Sequence, residues 1–210
     1  MFGMKKYIIY DFNGTVLDDV KVSLAAINVL SRKYLAKEID LAEYHKCFTF
    51  PISSYYQNVG FDFSLKPFEE IGLEWVKEYN SRRSEYELFP GIVDQLESNH
   101  QKGKKNILLS ASDLDMLKEQ LRELGIFELF DEVLGIDNVF AKSKLPIALG
   151  FIKDKNPDEC VMIGDTLHDL EVARGMGVDC ILVANGHQSY ESLKKEYDRV
   201  VRDIREVDYD

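Results

Sequence analysis

Two short acidic motifs in this chain have side chains and spacing suited to chemistry. The first, Asp11-Phe12-Asn13-Gly14-Thr15, follows directly on the apolar run Tyr7-Ile8-Ile9-Tyr10. A carboxylate there stands at the end of a strand. Gly14 lets the backbone turn tightly, so that neighbouring N–H groups can face an anion. The same residues also make an ordinary Asp/Asn turn that closes a strand. The second, Gly164-Asp165-Thr166-Leu167-His168-Asp169, follows the apolar run Cys160-Val161-Met162-Ile163. The spacing of Asp165 and Asp169 puts both carboxylates on one face of a first helical turn. Two like charges that close are unfavourable unless a cation sits between them. Acidic residues at a helix N-terminus also suit its dipole, so capping is the competing use. Two weaker signals accompany these motifs. Ser110 ends the run Asn106-Ile107-Leu108-Leu109, and Lys144 precedes a helical stretch, with Lys142 a nearby competitor.

Hydrophobic periodicity supplies the elements that must position them. Residues 6–12 read as a strand apolar on both faces, the mark of a buried strand in a parallel sheet. A helix is predicted over 20–36, where Val20, Leu24, Ile27, Leu30 and Tyr34 approach the amphipathic repeat. Residues 49–64 carry Pro51 and Gly60 and read as a loop with room for one short helix. Another helix is predicted over 66–83, with Pro67 in its first turn. Residues 17–88 thus read as all-helical. After Pro90-Gly91 comes a helix over 92–101, then a strand over 106–110. The helix over 114–124 takes Ser112 as N-cap, with Gly125 just past its end. Strands over 132–134, 160–164, 180–183 and 199–201 then alternate with helices over 144–152, 167–176 and 189–195. Such alternation implies right-handed crossovers and a parallel, doubly wound sheet. The helical block, inserted after the first strand, reads as a cap over the sheet end where ligands of such folds bind.

Composition narrows the function. The 210 residues carry 26 Lys+Arg and 37 Asp+Glu, a net charge of −11. That argues against a nucleic-acid partner, which requires a basic face. It leaves phosphate-bearing small molecules open, because a local pocket can be positive inside an acidic protein. No apolar run approaches the ~20 residues of a membrane span, and the first ten residues lack the apolar region of a signal peptide. Cys47, Cys160 and Cys180, odd in number and widely spaced, fit reduced structural thiols and a cytoplasmic location.

In order and placement the four sites resemble the haloacid dehalogenase (HAD) superfamily. Its pattern is strand-Asp-x-Asp-x-Thr, strand-Ser/Thr, Lys, strand-Gly-Asp-x-x-x-Asp. The helical insertion resembles the C1 cap of phosphoglycolate phosphatase-like members. The resemblance spans essentially the whole chain, strongly in the core and by position and helicity alone in the cap. It implies an α/β, Rossmann-like core over 1–16 and 89–210 and a helical cap over 17–88. It also implies a Mg²⁺-dependent phosphatase acting on a small phosphorylated substrate. Asp11 would be the nucleophile and form an aspartyl-phosphate. Mg²⁺ would be held by the Asp11 carboxylate, the Asn13 main-chain carbonyl and Asp165, with Asp169 assisting. Ser110 and the loop at Gly14 and Thr15 would bind the phosphoryl oxygens, and Lys144 would offset their charge.

The chain departs from the pattern at Asn13, where the family has a second aspartate that protonates the leaving group and then activates water. An amide does neither, and such catalysis is worth ~10²–10⁴-fold. Three readings follow: a phosphatase favouring good leaving groups, a proton supplied by His168 or His187, or a phospho-ligand binder without turnover. A dehalogenase also lacks the aspartate, but the Asp165/Asp169 pair argues for a metal that dehalogenases do not need. A mutase, which depends on the missing acid, is disfavoured. The loop Thr49-Phe50-Pro51-Ile52-Ser53 lies where C1-cap members place substrate-selecting residues, against ordinary loop packing; Tyr55 and Tyr56 read as cap core or its interface with the sheet domain, and His45 has no partner legible in the sequence. Cys47 has no partner legible in the sequence, and Arg82 and Arg83 fit a helix C-terminus.

Overall fold

A computed structural model describes residues 4–136 and 143–209. The first half contains β1 (Tyr7–Tyr10), β2 (Leu17–Asp18), α1 (Val20–Leu35), α2 (Leu41–Cys47), α3 (Ile52–Val59), α4 (Phe68–Asn80) and β3 (Glu87–Leu88). Strands and helices then alternate: α5 (Ile92–Gln101), β4 (Lys105–Asp113), α6 (Leu114–Glu123), β5 (Glu132–Ile136), α7 (Leu145–Ile152) and β6 (Cys160–Gly164). After these come α8 (Leu167–Met176), β7 (Asp179–Val183), α9 (Tyr190–Glu196) and β8 (Val200–Val201).

Six strands make one parallel sheet in the order β5-β4-β1-β6-β7-β8. The expected α/β architecture is therefore present. β1 is central because its residues are apolar on both faces. Ile8 and Tyr10 enter a core layer shared with Ile92 and Leu96 of α5 and Leu117 and Leu121 of α6. Ile9 points the other way, into a layer with Ala148 and Phe151 of α7 and Leu170 and Ala173 of α8. All three β1 residues are fully buried, and each such aliphatic side chain contributes about 1.5–3 kcal/mol of transfer free energy. Tyr10 is in register with Leu108 of β4 and Ile163 of β6, so β1 ends between these two strands.

The segment 17–88 is richer than an all-helical reading allows. Its two ends pair as a short antiparallel ribbon, Leu17 with Leu88 and Asp18 with Glu87. α3 is the one short helix expected within 49–64, and α2 lies ahead of that stretch, where no separate element was predicted. α2 starts at an Asp40 N-cap that accepts from Glu43 N at 2.8 Å. It buries only Tyr44 and Cys47, too few apolar positions for a periodic signal. Helices α1 to α4 share their own apolar cluster, with Ile27, Leu30, Tyr44, Tyr56, Val59 and Ile71 at its centre.

One cap differs from expectation. α6 is capped by Asp113, whose carboxylate accepts from the N–H groups of Asp115 and Met116, both at 3.1 Å. Ser112 cannot cap it, because β4 runs on through that residue after a register shift between Leu109 and Asp113. Among the described residues no helix is long and apolar enough to cross a membrane. The three cysteines are free and buried.

Candidate active site

From β1 the chain builds β4 and β5 to one side, then returns to lay β6 and β7 on the other. The reversal puts a crevice at the carboxyl end of β1, where open α/β sheets bind ligands. Asp11 leaves β1 there and is tied to the neighbouring strand by its N–H, which donates to Ile163 O at 2.9 Å. Asp165 follows β6, Ser110 lies in β4, and Lys144 occupies the N-cap position of α7.

Lys144 is the cationic centre of the site. Its side chain is buried, and Nζ donates to Asp11 Oδ1, to Asp169 Oδ1 at 2.7 Å and to Leu109 O at 3.3 Å. The competitor Lys142 lies outside the described residues. Asp169 serves two partners. One oxygen meets Lys144, while Oδ2 accepts from Thr166 N at 3.0 Å and Thr166 Oγ1 at 2.7 Å and so caps α8. Asp165 accepts from His187 N at 2.6 Å and from Thr15 Oγ1 at 3.4 Å.

Two glycines make room for Asp165. A Cβ at Gly14 would lie 2.2 Å from Asp165 Oδ2, and one at Gly186 would lie at the same 2.2 Å. Gly14 also has φ +76°, in the left-handed region. Its own N–H is taken up within the turn. It donates to Leu17 O and to Asp19 Oδ1, both at 2.9 Å, because the Asp19 carboxylate folds back over the turn. The hydroxyl of Ser110 donates to Ser112 Oγ at 3.1 Å. Ser110 nonetheless sits one residue past Leu109, whose carbonyl receives Lys144.

The charges do not balance. Burial pushes Asp11 up to about 7, with Lys144 opposing and Asp169 adding to the rise. Burial pushes Asp165 up to about 8, opposed by His187 and reinforced by Asp169 and Asp11. Burial works against Asp169 as well, but Lys144 outweighs it and holds that carboxyl below its usual range. Lys144 itself is raised, since the two carboxylates overcome its desolvation. Oxygens of Asp11, Asp165 and Asp169 all lie within 4.8 Å of one another. Three clustered carboxylates, Asp165 and Asp169 buried and Asp11 partly so, with Lys144 paired to two of them, fit an additional hard, oxygen-seeking dication.

The family model of the haloacid dehalogenase-like hydrolases matches residues 8–183, a span that contains Asp11, Ser110, Lys144, Asp165 and Asp169. This chain belongs to that family. It is also similar to a phosphoglycolate phosphatase of Aliivibrio fischeri, 25% identical over 97% of this chain and 94% of that protein. Two solved structures share the fold of this HAD-like hydrolase. One is a haloacid dehalogenase-like family protein from Streptococcus pneumoniae, with TM-score 0.78, 20% identity and 94% of each chain covered. The other is CbbY from Rhodobacter sphaeroides in complex with phosphate, with TM-score 0.72, 22% identity and 97% and 96% of the two chains covered.

The HAD-like hydrolase carries a second polar cluster that sequence reasoning missed. Asp19 is buried and accepts from Gly14 N, from Asn13 Nδ2 at 3.0 Å, from Tyr79 OH at 2.7 Å and from Ser23 Oγ at 3.3 Å. His187 Nε2 lies 3.3 Å from Asp19 Oδ1, and Nδ1 pairs with Tyr44 OH at 2.8 Å. Burial opposes the charged imidazole, but Asp19 outweighs it and lifts His187 to about 9. Burial likewise works against Asp19, and His187 with the other donors brings its carboxyl below the usual range. The only sequence hint was a second acid directly after Asp18.

Residues from α2 and the following loop cover this cluster. The Phe48 ring stacks on His187 at 4.8 Å and the Phe50 ring on His168 at 4.7 Å. His45 Nε2 meets Gly186 O at 3.2 Å. His187 is thus a buried, paired residue rather than a solvated loop histidine. His168 packs under Phe50 beside Glu171, at 3.4 Å. Tyr55 and Tyr56 belong to the helical core, Cys47 contacts Asn58 O, and Arg82 and Arg83 pair with Glu85 and Glu119. Thr49 Oγ1 turns to Phe50 O.

Proposed function

We propose that the chain is a Mg²⁺-dependent phosphatase that hydrolyses a small phosphorylated compound through an aspartyl-phosphate on Asp11, in the manner of the phosphoglycolate phosphatases it resembles. One observation carries the reading: Asp11, Lys144, Asp165 and Asp169 converge at the sheet's switch point with more negative charge than the protein itself balances. Asp11, Asp165 and the Asn13 main-chain carbonyl would hold the ion, with Asp169 behind them. When bound, Mg²⁺ supplies positive charge and an oxygen-binding template beside the phosphoryl group.

Asp11 attacks phosphorus in line, and its carboxylate oxygen forms the new bond as the bond to the leaving oxygen breaks. Lys144 stays against Asp11 and offsets charge on the phosphoryl oxygens, while Asp169 keeps its ammonium in place. Ser110 and the Thr15 end of the first loop lie on the phosphate side in this reading. Water then cleaves the aspartyl-phosphate, releasing inorganic phosphate and restoring Asp11. Residues 1–16 and 89–210 form the core, and 17–88 act as a cap whose Phe48 and Phe50 shield the reaction from water. Reduced, buried cysteines suit a cytoplasmic setting. The silent-binder alternative gains no support of its own from the site.

The test is hydrolysis of p-nitrophenyl phosphate beside an Asp11→Ala control, because nitrophenolate needs no proton to leave. Turnover that vanishes in the control and with chelator is expected. Turnover equal to the control would defeat the reading.

A further inference from the structure

The amide of Asn13 is fixed by groups outside the catalytic cluster. Its Nδ2 donates to Asp19 Oδ2 at 3.0 Å and to Tyr79 OH at 2.8 Å. A carboxylate only accepts, so the nitrogen of the amide, not its oxygen, must face Asp19. Both acceptors therefore face the amide nitrogen and hold its N–H side. Neither acceptor is free to swing. Asp19 is held by Gly14 N, Ser23 Oγ and His187 Nε2. Tyr79 donates to Asp19 and is stacked on Trp75, with ring centroids 4.8 Å apart.

The other protic groups around Asp11 are committed in the same way. Both ring nitrogens of His187 have partners, Asp19 Oδ1 and Tyr44 OH. Lys144 Nζ faces Asp11, Asp169 and Leu109 O. Thr15 Oγ1 points to Asp165. A leaving oxygen that builds up charge near position 13 meets an amide whose donors point elsewhere, and an alkoxide left without a proton is a poor leaving group.

We propose that Asp19 and Tyr79 are positioning residues that lock the Asn13 amide away from the leaving oxygen, making the site selective for phosphoryl compounds whose leaving group departs as a stable anion, namely acyl and aryl phosphates. The proposal rests on the phosphatase reading above and narrows its substrate class. In the first step a bond forms between an Asp11 carboxylate oxygen and phosphorus while the bond from phosphorus to the leaving oxygen breaks. The electron pair stays on that oxygen, and the carboxylate or phenolate takes any proton it needs from bulk water.

The experiment measures kcat/KM with Mg²⁺ for acetyl, p-nitrophenyl, phenyl and ethyl phosphate. The natural chain is expected to lose activity steeply toward ethyl phosphate. Asn13→Asp is expected to raise the ethyl-to-nitrophenyl ratio by about 10²–10⁴-fold, the usual worth of a proton donor. Tyr79→Phe removes one of the two acceptors that hold the amide and is expected to raise the same ratio several-fold. A merely structural defect would lower both rates together. If Tyr79→Phe does not fold, Asp19→Ala removes the other acceptor and serves the same purpose. A flat leaving-group profile in the natural chain overturns the proposal. So does a ratio left unchanged in the folded Tyr79 or Asp19 variant. Absence of Mg²⁺-dependent turnover on all four compounds instead overturns the phosphatase reading, and this inference falls with it.

Discussion

Replacing Lys144 by methionine keeps the length of the side chain and removes its charge. In the folded protein Nζ meets the partly buried carboxylate of Asp11 and, at 2.7 Å, the buried one of Asp169. At ~3 Å and an effective dielectric of ~20, one unit pair interacts by about 5–6 kcal/mol, before the lysine's desolvation is subtracted. Removing one partner of a buried pair costs about 3–5 kcal/mol net, because the other charge is stranded. The lysine's own titration does not enter near neutrality. Its pKa is raised by the two carboxylates against burial, so its contribution is fully present below ~10.4 and is lost only above that. In Lys144→Met the two carboxyls lose the cation that opposed their protonation, and both bind protons more tightly folded than unfolded. Each then weakens the fold as pH rises, by up to ~1.4 kcal/mol per pH unit. Urea denaturation in chelator should therefore show a loss of about 3–5 kcal/mol near pH 8 that shrinks by half or more near pH 5.5 as the acids protonate. Turnover should fall by about 10²–10³-fold. A loss under ~1 kcal/mol near pH 8, or the same loss at both pH values, would refute the electrostatic account.

Three further outcomes follow from the same geometry. Gly186→Ala would bring a Cβ within 2.2 Å of Asp165 Oδ2 and 2.4 Å of Gly14 O. It should destabilise by about 1–3 kcal/mol and remove activity, and a variant with the natural Tm would show that the clearance is unimportant. His187 is raised to about 9, burial being outweighed by Asp19, so its pairing stabilises fully below ~6.5 and is lost as pH rises through about 9. The difference corresponds to about 3 kcal/mol. In chelator the gap in urea stability between the natural chain and His187→Phe should close between about pH 7 and 10, and a gap constant with pH would count against the pair. Saturating Mg²⁺ should stabilise the natural chain by about 2.7 kcal/mol at a hundredfold excess over Kd. An Asp165→Asn variant that shifts equally in a thermal melt would place the ion elsewhere.

Much of the site is legible from local pattern. Asp11 and Asp165 each follow a fully apolar strand, and an apolar run buried on both faces has few places to go except the middle of a parallel sheet. Asp169 was legible as a cap, since an acidic residue in the first helical turn suits the dipole, but its pairing with Lys144 was not. Asp19, Tyr79 and Tyr44 were not. Their partners lie at sequence separations of 60 for Tyr79 and Asp19 and 143 for Tyr44 and His187, and no local periodicity marks a buried polar contact between distant segments. α2 escaped for a related reason. A seven-residue helix with two buried residues is stabilised by tertiary packing rather than by its own repeat.

The amino-acid order alone thus determined the alternating strands and helices, the ends of β1 and β6 that present Asp11 and Asp165, and the absence of a carboxylate at position 13. Those features depend on residues adjacent in the chain, where apolar spacing and turn chemistry act directly. Only the tertiary structure decided that Lys144 stands between Asp11 and Asp169, that the Gly14 amide turns to Asp19 rather than outward, and that Asp19 and Tyr79 hold the Asn13 amide. Each of these is a choice of partner among buried polar groups, and burial makes it binding, because an unpaired donor or charge away from water costs more than its hydrogen bond returns.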